Sequence, residues 1–268
     1  MTRSTHQPIV RMLVLGLAVT VATPVAAQEA AAVTDPECPV THQDLTEALR
    51  QSAAPAAGPS NGGLGNNEWA AVVDRTGTVC AITYSGETVR DQWLGSRAIA
   101  VEKAFTANAF SLPNFALSTA NLYAGAQPGG YLYGIITTNP VREELLYLGD
   151  VETWGTPSDP LVGEIAGGTV VFAGGLPLYD GGELVGGLGA SGDTSCADHN
   201  IAWRVRNMLD LGDVPAGVSP SGADQIIYDI GPSGSSASGY GHPMCGRNAP
   251  DVAEEIGAGF VPEWNETD

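Results

Sequence analysis

The sequence predicts an α+β fold, a mainly antiparallel sheet with helices on its faces, and three observations predict it. Two pairs of short β-branched or alternating runs are each joined by a tight turn, one at Arg75-Thr76-Gly77 and one at Asp180-Gly181-Gly182. Apolar residues at helical spacing occur before, between and after those pairs. The resulting order is helix, hairpin, helix, long insert, hairpin, helix, and hairpins make antiparallel sheets.

Each element has its own signal. Thr41 opens a first helix with Asp44 in capping-box position and Leu45, Ala48, Leu49 and Ser52 along one side. Pro55 to Asn67 is a Pro/Gly/Asn linker. Trp69 to Asp74 and Thr78 to Tyr84 form the first hairpin, with Cys80, Ile82 and Tyr84 expected on one face. A helix from about Gln92 to Phe110 carries Leu94, Ala98, Val101, Phe105 and Ala109 as its apolar stripe. Residues 111–164 are rich in Pro, Gly and Asn, longer than an ordinary connection, and read as an insert. Thr169 to Ala173 reads as a strand punctuated by Gly174-Gly175-Leu176-Pro177, and Leu184 to Ser191 as the returning strand. Ser195 and Asp198 resemble a capping box, followed by a helix face of Ile201, Val205, Met208 and Leu209 that Gly212 stops. Residues 212–268 form a C-terminal extension with one strand, Gln225 to Ile230, expected to pack on the domain at 41–211.

Residues 1–27 read as a signal peptide. Arg3 and Arg11 precede the apolar run Met12 to Val21, and Val25-Ala26-Ala27 supplies small residues for cleavage. That run is about ten residues, against the ~20 that span a bilayer, so export to periplasm or medium is expected and a membrane anchor is not. Residues 28–40 are expected to be a flexible segment. The formal charge of the whole chain is −19, and loss of Arg3 and Arg11 makes it about −21. Such a surface repels nucleic acid and anionic membrane. Lys103 is the single lysine of the chain.

Two stretches resemble a known family. Gly174-Gly175-Leu176-Pro177, the run Gly182-Glu183-Leu184-Val185-Gly186-Gly187-Leu188-Gly189-Ala190-Ser191-Gly192 and Asp198 stand where the GlcG/HbpS haem-binding proteins carry a GGxP turn, a glycine-rich strand-loop and an acidic helix start. Upstream, Ser96-Arg97-Ala98-Ile99-Ala100-Val101-Glu102-Lys103-Ala104-Phe105-Thr106-Ala107 is similar to a signature helix of that family, which is related to the C-terminal domain of PduO corrinoid proteins. The chain departs at His199, where the family has a second acidic residue, and in its tail. The resemblance implies a profilin-like, five-stranded sheet with the terminal helices on one side, haem as ligand, and a homo-oligomer. The interface is expected at the helix around Lys103 and the strand Leu184 to Ser191.

The candidate site residues follow from that frame. Gly187 and Gly189 take side chains off a buried strand, so a helix, another subunit or a flat ligand packs there. His199 is the first choice for an axial haem ligand, because it lies on the helix after the glycine-rich loop; Thr106 and Tyr84 are secondary, and Lys103 faces the same strip as Thr106. The other reading of Thr106 is a helix hydroxyl bonded one turn back. Cys196-Ala197-Asp198-His199 and His242-Pro243-Met244-Cys245 are mirror-image pairs that suit a tetrahedral zinc site. In an exported chain with four cysteines, the competing reading is two disulfides, with Cys196 to Cys245 favoured and Cys38 and Cys80 left as the other pair. Ser191, Asp198 and His199 do not make a triad, since adjacent residues on a helix diverge by about 100°. The leading function is an exported haem or tetrapyrrole binder acting in sequestration or degradation. The alternatives are a cofactor-free, disulfide-stapled structural module and, on fold analogy alone, an enzyme on a small hydroxy acid or a corrinoid-linked activity.

Overall fold

The computed structural model describes residues 38–53 and 60–262. The signal-peptide reading and most of the segment 28–40 lie outside those residues. Four antiparallel strands make the main sheet, in the order β2-β1-β4-β3: β1 (Trp69–Asp74), β2 (Val79–Tyr84), β3 (Gly175–Asp180) and β4 (Glu183–Ser191). The expected five-stranded sheet is therefore four-stranded among the described residues. A separate two-stranded parallel piece joins β5 (Ile226–Ile227) to β6 (Gly259–Phe260) within the tail. The class is α+β, as predicted.

The sheet lies between two helical layers. On one face α1 (His42–Ala53) and α6 (Ser195–Met208) pack their Leu45, Leu49, Ile201 and Val205 against Ala70, Val72, Leu188 and Leu176. On the other, α2 (Ser96–Ala109) packs Ala100, Val101 and Ala104 against Trp69, Ala71, Val73 and Ile82. The two terminal helices of the domain thus share a side. Thr41 caps α1 as predicted, its hydroxyl 2.6 Å from Asp44 Oδ2 and accepting from Asp44 N.

Four local expectations are corrected. A bulge opposite Val72 and Val73 turns Cys80 onto the α1 side, while Ile82 and Tyr84 stay on the α2 side. The stripe expected on α2 is buried only at Ala98 and Val101: Leu94 and Ala109 are exposed, Phe105 is half-buried, and the small residues at 100, 104 and 107 are buried together with Arg97 and Lys103. Thr169 to Ala173 is no strand, because its amides bond to side chains, Val170 N to Thr106 Oγ1 (3.0 Å) and Ala173 N to His242 Nε2 (3.2 Å). The strand is instead Gly175–Asp180, in which Pro177 is tolerated because β3 lies at the sheet's edge. The cap of α6 is Thr194, whose side chain accepts from Ala197 N, one residue before the expected Ser195.

The insert and the tail close over this frame. Three single-turn helices, α3 (Tyr123–Ala126), α4 (Ile135–Thr138) and α5 (Glu143–Leu146), punctuate the insert. Leu145, Leu146, Trp154, Leu161 and Ala166 cover the outer side of α2. Gly163 N and Val79 N exchange bonds with Val79 O and Glu164 O on the free side of β2, and Tyr179 N bonds Leu211 O on the free side of β3. In the tail, α7 (Ala249–Glu255) and β5 pack on α6 through Cys196, Ile226, Tyr228, Ala249 and Ala253.

The glycines of β4 serve the close approach of α2. A Cβ at Gly189 would overlap Ala100 O, and one at Gly187 would overlap Ala104 O. Of the three occupants anticipated for this face, the helix is the one present. The faces expected to form an oligomer interface are consequently largely interior: β4 is an inner strand beneath α2, and the insert covers part of α2. Gly189→Ala is expected to destabilise the fold by about 1–3 kcal/mol or more, through overpacking against backbone that cannot rotate away. Thermal melting of the variant checks this; an unchanged melting temperature would show that α2 can lift off the sheet freely.

Candidate functional site

The segments singled out in the sequence converge on one ammonium. Lys103 Nζ donates to Ala190 O at the end of β4 (2.9 Å) and to Asp198 Oδ2 in the first turns of α6 (2.6 Å). Gly174 passes so near that a Cβ there would stand 2.6 Å from Nζ. The helix motif, the GGLP turn, the glycine-rich strand and the acidic helix start therefore meet at Lys103. Both partners of the ion pair are buried. Asp198 Oδ1 accepts from Asp193 N (2.9 Å), and the Asp193 carboxylate accepts from Leu64 N, Gly65 N and Asn66 N, which fixes the loop leading into β1.

Glu68 is the residue that sequence reasoning missed. It immediately precedes β1, is fully buried, and its carboxyl group lies beside that of Asp198. Burial first, and then the charge of Asp198, push its pKa well above the ordinary carboxylate range, with Lys103 opposing. Burial also raises Asp198, against the pull of Lys103. A lone acid before a strand reads as a solvated residue in sequence, so only the fold reveals it.

The expected ligand residues are placed as follows. His199 is buried under the tail, with Nε2 3.1 Å from Ala258 O and Nδ1 unpartnered, and burial lowers its pKa to about 4. Thr106 donates to Glu102 O one turn back (2.7 Å) and accepts from Val170 N. Tyr84 stacks edge-on against Trp69 at 5.3 Å, on the same side of the sheet as α2 but in β2. Gly187 and Gly189 lie under α2. Lys103 and Gly189 are brought together; His199 and Tyr84 are not brought to them. Lys103, Thr106 and His199 are covered within the protomer, Thr106 and Lys103 have their polar atoms engaged, and Tyr84 is half-buried. In this conformation these residues do not fit an iron ligand set.

The cysteines form two disulfides, Cys38–Cys80 and Cys196–Cys245. The zinc alternative of Cys196, His199, His242 and Cys245 fails on geometry. The two sulfurs are bonded to each other, His199 turns to Ala258, and His242 has both nitrogens engaged, Nδ1 with Pro243 O (2.8 Å) and Nε2 with Ala173 N. Burial holds the His242 pKa down to about 3.

The class is that of the HbpS-like domains: the model of the family described as haem-degrading protein HbpS-like matches residues 41–206. The chain belongs to that family. Among solved structures, it is similar to PduOC crystallised in complex with haem (26% identity, 64% of this chain and 94% of that one, TM-score 0.44). It is also similar to ORFY of Klebsiella pneumoniae (21%, 64% and 90%, 0.44) and to HbpS (21%, 68% and 98%, 0.41). Among curated proteins none matches significantly.

Two predictions test the cluster. Lys103→Met leaves Asp198 and Glu68 buried without their cation and is expected to cost about 3–5 kcal/mol; the further change Asp198→Asn should recover part of it in denaturant titrations. The pH dependence has two limbs of opposite sign. His199 and His242 have folded values below the ordinary 6.5, so their contribution is full above pH 6.5 and is lost as the pH falls toward 4 and 3. For His199 alone this is on the order of 3 kcal/mol. Glu68 has a raised folded value, so its contribution is full below the ordinary carboxylate range and is lost as the pH rises. Melting temperatures of Glu68→Gln against wild type should therefore diverge upward with pH; parallel curves from pH 5 to 8 would contradict it.

Proposed function

We propose that this protein binds haem or a closely related tetrapyrrole, as an exported protein that sequesters it or presents it for degradation. Family membership carries the reading: the match at residues 41–206 takes in α1, α2, the whole main sheet and most of α6. Four cysteines paired as two disulfides fit an oxidising compartment, and among the described residues no helix is long and apolar enough to cross a membrane. Self-association belongs to the proposal; β4 lies beneath α2, which leaves Ala109 exposed and Ile99, Glu102 and Phe105 half-buried as its outward part.

A second reading has an observation in its favour. The candidate ligands are engaged or enclosed within the chain, and three buried ion pairs, Lys103–Asp198, Arg97–Asp159 and Arg206–Asp224, clamp the segments together. These clamps and the two disulfides support the reading as a cofactor-free, disulfide-stapled module.

Haemin titration separates the two. Saturable binding with a shifted Soret band is expected, and His199→Ala should leave that band in place while the tail covers α6. No saturable shift at micromolar haemin would favour the module. A band altered by His199→Ala would place the iron on α6 and require the tail to lift.

A further inference from the structure

The seam between α6 and the tail holds the Cys196–Cys245 disulfide, with hydrogen-bond donors beside one of its sulfurs. Cys245 Sγ sits against the first turn of the fourteen-residue α6, where Cys196 N donates to it at 3.2 Å and Ser195 Oγ lies at 3.4 Å. An amide at a helix start and a hydroxyl are the groups that stabilise a thiolate. The other sulfur, Cys196 Sγ, is buried 3.9 Å from His242 Nδ1 and 3.5 Å from Pro243 O.

Access is also provided. Cys245 is half-buried in a stretch whose neighbours Met244, Gly246, Arg247 and Asn248 are exposed. Gly246 and Arg247 both hold positive φ (76° and 57°), and for arginine that is a strained backbone. The Cys38–Cys80 bridge is the internal control: Cys38 is exposed, so access does not separate the two bridges, but among the described residues no hydrogen bond reaches either of its sulfurs, and it joins the segment before α1 to the bulge of β2.

We propose that Cys196–Cys245 is a thiol–disulfide exchange site for a dithiol reductant, and that Cys38–Cys80 is a structural bridge. A thiolate of the dithiol attacks Sγ of the half-buried Cys245. The S–S bond breaks, its electron pair leaves on Cys196 Sγ, and that sulfur takes up a proton. The reductant's second thiol loses its proton and attacks the mixed disulfide at the reductant's own sulfur. Cys245 then departs as a thiolate held by Cys196 N–H and Ser195 Oγ, and the reductant leaves as a disulfide. A stabilised leaving thiolate makes the pair more oxidising, as in disulfide oxidoreductases generally. The exchange acts where Ala258 covers His199, so reduction unties the tail beside that histidine. The inference rests on the sulfur environment alone and does not depend on haem.

The test uses the full chain equilibrated in dithiothreitol buffers of graded reduced-to-oxidised ratio, then alkylated and mapped by mass. Cys196 and Cys245 are expected to be half-reduced at a ratio at least tenfold lower than Cys38 and Cys80, which corresponds to about 30 mV for a two-electron couple. Ser195→Ala should narrow that gap and Ser195→Thr should keep it. Both bridges reducing at one ratio, Cys196–Cys245 reducing last, or a gap that Ser195→Ala leaves unchanged would each overturn the proposal.

Discussion

The buried ammonium of Lys103 is the constraint on which the rest of the structure depends. It sits on α2, yet its partners belong to β4 and α6, so it ties the layer on one face of the sheet to the layer on the other around the sheet's end. It reaches them only because Gly187 and Gly189 let the α2 backbone down onto β4. The dependence runs both ways, since a helix held higher would strand the ammonium in an apolar interior, where an unpaired charge costs several kcal/mol. Gly174 belongs to the same construction, clearing space beside Nζ at a backbone angle of φ +113° that side chains avoid.

The added segments use the same device. Arg97 of α2 forks onto Asp159 of the insert and also donates to Leu146 O, with its guanidinium over the Trp154 ring. Arg206 of α6 forks onto Asp224 of the tail and donates to Pro177 O. Each planar fork satisfies two carboxylate oxygens at once, which a single lysine could not do. In a chain with eleven basic residues against thirty acidic ones, three cations are therefore held inside, each with one carboxylate, so the excess of acidic groups stays with the rest of the chain.

Much of this was legible in the sequence where periodicity and local chemistry agree. The hairpin at Trp69–Tyr84, the capping box at Thr41 and Asp44, and the helix after the glycine-rich loop all declared themselves. The strand near residue 175 was misplaced because β-branched residues at 169–173 outscore Gly-Leu-Pro-Leu on propensity. Long-range bonds from Thr106 and His242 decide against them, and no local signal reports those bonds. The stripe on α2 holds only at Ala98 and Val101 for a related reason: a helix packed by the sheet on one side and the insert on another has no single apolar face. The helix motif flagged Lys103, but Glu68 and Asp198 become a coupled acid pair only through tertiary packing. His199 was attractive as a ligand because its helix is in the right place; the tail that covers it lies beyond the family's match.

The bonds that residues 163–164 and 211–212 make to the outer sides of β2 and β3 have a consequence for how this protein meets others. A free strand edge is a generic adhesive: any extended peptide can add a rung to it, whatever its side chains. Here both margins of the main sheet are partly occupied by the chain's own backbone, so such indiscriminate recruitment is obstructed. Recognition is left to side-chain surfaces, where shape and charge discriminate, and an acidic exterior rejects other acidic chains before contact.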